Sequence, residues 1–138
     1  MVDIHFPLEF LIAGTPVSLQ AKNPRSKEEW KERVKAATYP QLPEMHFASE
    51  GRVAVTIFYF PPGEMQGDID NIVKTTLDGL CAHIYVDDRQ VERVVVQKFE
   101  PNRVFEFSNP TEKLVEALQS ERPVTFVRIS DDPHGELS

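Results

Sequence analysis

The sequence carries a single cysteine, Cys81, among 138 residues. An internal disulfide and any multi-cysteine zinc knuckle are therefore excluded. No apolar run approaches the roughly 18–20 residues that a membrane-spanning helix needs. The opening Met1-Val2-Asp3-Ile4-His5 has no basic stretch leading into an apolar one, so it does not read as a secretory signal, and the cytoplasm is the expected location. There are six glycines, and they build no glycine-rich loop of the kind that cradles nucleotide phosphates. The four histidines, His5, His46, His83 and His134, fall at no ligand-like spacing, which argues against a zinc site. Motifs for a serine or cysteine nucleophile are missing, as are internal repeats. Cys81 follows Leu80 on an apolar face and reads as a small core residue. Basic residues are in deficit, 15 against 22 acids for a net charge of −7. As a sum, that argues against a phosphate-rich partner.

What the chain does have is 41% apolar residues at a length that buries about two-thirds of its unfolded surface, enough for one core. A single domain over residues 1–130 is expected, followed by an acidic tail over 131–138 that frays. Charge is segregated along it. Lys22, Arg25, Lys27, Lys31, Arg33 and Lys35 crowd into one stretch with Glu28, Glu29 and Glu32, whereas Glu64, Asp68 and Asp70 form an acidic loop without a base. Distribution matters more than the sum for a nucleic-acid partner.

Phe6 to Ala13 reads as a strand stopped by Gly14-Thr15-Pro16. Ser26-Lys27-Glu28-Glu29 has the form of a capping box and predicts a helix to about Ala37, with Trp30, Val34 and Ala37 on its apolar stripe. Trp30 is expected to anchor the core. Pro40 and Pro43 then open a loop to about Glu50. Val53 to Phe60 is apolar on both faces and predicts a central strand. After a polar loop, Ile69, Ile72, Val73, Leu77 and Leu80 follow a helical period, with Asp70 placed as N-cap. Ile84 to Val86 and Val91 to Phe99 flank Asp87-Asp88-Arg89-Gln90, a turn that could close a hairpin. Val104 to Phe107 reads as a further strand. Asn109-Pro110-Thr111-Glu112 reads as a capped start, with Pro110 at the first helical position, for a helix carrying Leu114, Val115 and Leu118. Val124 to Ile129 is the final strand. The fold class expected is α+β, a mixed sheet with about three helices packed on it.

Chemistry concentrates in Gly67-Asp68-Ile69-Asp70-Asn71. Side chains at i and i+2 of an extended segment share a side, so Asp68 and Asp70 project together. Two such carboxylates repel unless a cation lies between them. A hard divalent ion such as magnesium suits oxygen donors and keeps waters for a phosphate to replace. Lys74 lies one helical turn beyond Asp70 and can stabilise charge on a phosphate. Asp87-Asp88 is a second acidic pair. Each element also has a plain structural reading, as a cap or a turn.

The linked stretch Gly67-Asp68-Ile69-Asp70-Asn71-Ile72-Val73-Lys74, Leu77-Asp78-Gly79-Leu80 and Val86-Asp87-Asp88-Arg89-Gln90-Val91 resembles the RusA family of Holliday-junction resolvases. Val17 to Lys22 and Ser26-Lys27 with Trp30-Lys31 are similar to it more loosely. The resemblance implies a magnesium-dependent, homodimeric endonuclease cutting four-way DNA junctions by paired symmetric nicks, in recombination and repair. It places the catalytic, metal-holding aspartates on Asp68, Asp70 and Asp88, with Asp87 as the fallback ligand, and the family lysine on Lys74. Lys22, Arg25, Lys27, Lys31 and Arg33 become the candidate DNA contacts. Two alternatives stay open: a catalytically silent DNA-structure-binding module, and a metal-dependent phosphohydrolase acting on simpler nucleic acids.

Overall fold

Alternation along the strands divides the core in two. In the computed structural model, which describes residues 2–17, 23–65 and 67–135, a strand over Val53–Phe60 places Val53, Val55 and Ile57 in one apolar cluster and Phe58 and Phe60 in another. Successive side chains of a strand point to opposite faces, so the two clusters lie on the two sides of one sheet. The elements in chain order are β1 (Val2–Asp3), β2 (Leu8–Ala13), α1 (Pro24–Thr38), β3 (His46–Phe47), β4 (Val53–Phe60), α2 (Val73–Leu80), β5 (Val91–Lys98), α3 (Glu112–Gln119) and β6 (Val124–Ser130). The main sheet runs β2-β6-β4-β5. β6 is antiparallel to β2 and β4, whereas β4 and β5 are parallel, so the sheet is mixed and the fold is α+β. β4 is interior to the sheet, as its two apolar faces predict.

One face packs on α1 and α2, with Trp30, Val34, Leu80, Ile84 and Tyr85 meeting Phe10, Ile12, Val127 and Ile129. Trp30 is 1% exposed, and its Nε1 donates to Thr76 Oγ1 at 3.1 Å. The other face holds Phe60, Phe99 and Phe126 under α3, which contributes Leu114 and Ala117.

Several local expectations are corrected. α1 starts at Pro24 rather than at the Ser26 box. Asn23 is its cap, accepting from the Arg25 amide at 3.0 Å, and a proline at the first helical position needs no amide partner. Asp70 is not a cap. Asp68 precedes a 3-10 turn over Ile69–Ile72, Asp70 sits inside that turn, and α2 begins only at Val73. Ile84 to Val86 forms no hairpin with β5, because β5 pairs in parallel with β4 and its approach is a loop with isolated bridges at Tyr85. Phe105 and Phe107 are not in a strand. Their rings pack, tilted, into the Phe58–Phe99 cluster instead, at centroid separations of 4.8 Å for Phe99–Phe105 and 5.8 Å for Phe58–Phe107. The cap of α3 is Thr111, whose side chain accepts from the Leu114 amide, so Pro110 lies before the cap. The loop expected up to Glu50 contains β3, which pairs in parallel with β1.

Candidate active site

The parallel pair β4–β5 requires a crossover, since a tight turn can join only antiparallel neighbours. That crossover is the acidic stretch. It leaves β4 at Pro61-Pro62, passes Asp68 and Asp70, runs down α2 and re-enters the sheet through Asp87 and Asp88. α2 packs on α1 at close range. A Cβ on Gly79 would stand 2.9 Å from Val34 Cβ and 3.3 Å from Lys31 Cα, so the helix approach needs a residue with no side chain there.

α2 presents Lys74 beside the returning turn. Its Nζ donates to Asp88 Oδ2 at 2.6 Å and pairs with Asp78 Oδ1 at 2.9 Å. The bond to Asp88, then that to Asp78, raises the Lys74 pKa far above the usual lysine range and keeps it an ammonium ion. The remaining Asp88 oxygen, Oδ1, lies 3.5 Å from the Tyr85 hydroxyl. Tyr85 is fully buried, and that burial pushes its phenol well above its ordinary pKa, so it remains a donor; it also donates to Leu77 O at 3.1 Å.

The two neighbouring aspartates do different work. The Asp87 side chain accepts from the Arg89 amide at 3.1 Å and forms a reciprocal capping box with Gln90 over the 3-10 turn Asp88–Gln90. Asp88 is the one left facing Lys74. Gln90 fixes this turn with its whole amide. Oε1 accepts from the Val86 and Asp87 amides at 2.8 and 2.9 Å, and Nε2 donates to Ser49 O and Gly51 O at 2.7 Å each. Two amide donors on one side and two carbonyls on the other leave only one orientation of the side chain.

The chain matches the family described as Endodeoxyribonuclease RusA over residues 13–105. It belongs to that family. A search among curated proteins finds no match. The RusA match starts at the end of β2 and spans α1, β4, α2 and β5, so it contains the whole crossover and the basic helix; α3 and β6 lie beyond it.

In this RusA family member the aspartates are not drawn together as a ready-made shell. Among the described residues, no group of three or more His, Cys, Asp or Glu is gathered closely enough to hold a metal ion. Asp68 and Asp70 are exposed at the head of the crossover, and Asp88 is neutralised by Lys74 one turn further on. Like-charged carboxylates repel, and Lys74 supplies the compensating charge at Asp88. The donors available are all carboxylate oxygens, the set a hard divalent cation takes. Beside Asp68 a cleft of about 450 Å³ opens, with Tyr59, Pro61, Met65 and Asn71 among its walls.

The basic residues of α1 separate into kinds. Arg25 pairs with Glu29 at 3.1 Å and Lys31 with Glu28 at 3.0 Å, both along the helix surface. Arg33 is a structural tie, bonding the Ala13 carbonyl and lying 6.0 Å from the Trp30 ring centroid. Lys27 is half-buried, and Lys22 lies outside the described residues, as does most of the Val17 to Lys22 resemblance. Cys81 is half-buried against the core, and desolvation raises its thiol pKa, which makes it a poor nucleophile.

Sequence reasoning assigned no role to Asp78, Tyr85 or Gln90. Asp78 was findable, since it stands four residues from Lys74 on one helix face. Tyr85 carries no signal in the sequence, because its contact with Asp88 depends on how the loop folds under α2.

Proposed function

We propose that this protein is a magnesium-dependent, homodimeric endonuclease that resolves four-way DNA junctions by paired symmetric nicks in recombination and repair, in the cytoplasm. One observation carries the reading: within the stretch matched to the RusA family, the crossover brings Asp88 onto Lys74, one turn past Asp70. Residues 1–130 serve as the endonuclease domain. The acidic segment after them begins with a turn in which Asp132 Oδ1 accepts from the Gly135 amide at 2.9 Å, and residues 136–138 lie outside the described residues.

Asp68, Asp70 and Asp88 would hold the metal, and their all-oxygen chemistry fits magnesium. A bound magnesium ion supplies a water of lowered pKa and polarises the scissile phosphate. Lys74 contributes fixed positive charge where the phosphate gains negative charge. Asp87 and Gln90 hold the turn that carries Asp88. Lys22, Arg25, Lys27, Lys31 and Arg33 supply phosphate contacts, and a two-fold dimer doubles that patch and presents two sites to a two-fold junction. Asp88 stays the preferred ligand over the fallback Asp87, whose carboxylate is occupied in the cap.

The test is cleavage of a four-way junction beside linear duplex, at low salt, with and without magnesium. Nicks in the junction alone, dependent on magnesium and lost in Asp70→Asn while junction binding persists, are expected. Cleavage by Asp70→Asn at the wild-type rate would remove the carboxylates from the mechanism. Equal cutting of duplex would favour the simpler phosphohydrolase.

A further inference from the structure

The pair Lys74–Asp78 is placed against the electrostatics of its own helix. α2 runs Val73–Leu80, so Lys74 stands in the first turn and Asp78 in the last. A helix dipole favours anions at the start and cations at the end. The acid-before-base order that strengthens i, i+4 pairs is also reversed here. Both side chains are partly open to solvent, where an ion pair contributes little to stability. The pair therefore does not serve the helix, and its other contact shows what it serves. The same ammonium sits 2.6 Å from Asp88 Oδ2, on a different element.

We propose that Asp78 is a positioning residue that receives the Lys74 ammonium when a divalent cation takes Asp88. A cation bound at Asp88 and an ammonium bonded to the same oxygen repel each other, so Lys74 must leave that carboxylate. Asp78 moves rigidly with Lys74 on α2 and holds the ammonium on that helix, off the Asp88 carboxylate. Lys74 thereby occupies the cation position while the metal is absent and becomes a phosphate-facing charge once it is present. The inference rests on Asp68, Asp70 and Asp88 being the metal ligands.

The test is direct binding of magnesium to the full chain by calorimetry, without DNA, for the wild type, Asp78→Asn, Lys74→Gln and the double variant. Asp78→Asn should weaken magnesium up to about fivefold, the scale of a half-exposed ion pair, because the ammonium then rests only on Asp88. Asp78→Glu keeps a carboxylate in reach and should restore most of the affinity. Lys74→Gln should bind magnesium more tightly than wild type, and adding Asp78→Asn to it should change nothing. Equal weakening by Asp78→Asn with and without Lys74, or no weakening at all, overturns the proposal. Asp88→Asn supplies the separate control: if it leaves magnesium binding unchanged, the ligand reading itself fails and this proposal falls with it.

Discussion

Replacing Gln90 with glutamate changes one group and tests the hinge of the site. Glutamate keeps the acceptor that receives the Val86 and Asp87 amides, and it loses both donors to Ser49 O and Gly51 O. Each lost hydrogen bond has a net worth of about 0.5–1.5 kcal/mol, and an ionised carboxylate facing two carbonyls adds repulsion. The expected loss is about 2–3 kcal/mol at pH 7. For a chain of this size that lowers Tm by roughly 7–10 °C. The sign of the pH dependence follows from the same geometry. The two carbonyls disfavour the charged carboxyl, so the folded variant holds its proton to higher pH than the unfolded chain, whose glutamate titrates near 4.3. The deficit is fully developed above the folded pKa and shrinks as pH falls through it, because the protonated acid regains a donor. Thermal melts of wild type and Gln90→Glu across pH 4.5 to 7.5 read this out. A variant that melts with the wild type at pH 7.5, or whose deficit ignores pH, would show that the amide does not hold the turn. Where the variant is still folded, junction cleavage should fall at least tenfold, since Asp88 travels with that turn.

Four further outcomes are expected. Trp30→Phe removes the bond to Thr76 and some buried area, and should cost about 1–2 kcal/mol in chemical denaturation without altering magnesium binding. Gly79→Val drives a branched side chain into Val34 and should cost about 2–3 kcal/mol, while Gly79→Ala should cost less, because its gain in helix propensity offsets part of the clash. Burial, then His46, lowers the His83 pKa, so the folded state disfavours its proton; stability should decline as pH falls through about 6.5, and His83→Gln should flatten that decline in melts between pH 7.5 and 5. Reversing Lys27 and Lys31 to glutamate should weaken junction binding and flatten its salt dependence, at about 0.9 in log–log slope per lost phosphate contact; unchanged affinity and slope would make α1 only a solvated face.

The sequence by itself determined the four strands of the main sheet and the central position of β4, because period-two patterning and apolarity on both faces are local facts. It determined α1 within a few residues, erring at the cap where Asn23-Pro24 outranked Ser26. It also supplied the linked aspartate and lysine motif, whose spacing matches the RusA family, and the role of Trp30 as a core anchor. Tertiary structure decided the rest. Phe105 and Phe107 have strand-forming side chains, yet the aromatic cluster under α3 absorbs them without a ladder partner. β1 and β3 are two residues each, too short for any pattern, and exist only because they find one another. The choice between Asp87 and Asp88 could not be read from two identical adjacent residues. It was made by Gln90, which binds Ser49 and Gly51 some forty positions away and so fixes which carboxylate caps the turn and which meets Lys74. Local sequence sets what a residue can do; long-range hydrogen bonds set which way it points, and chemistry at this site depends on the pointing.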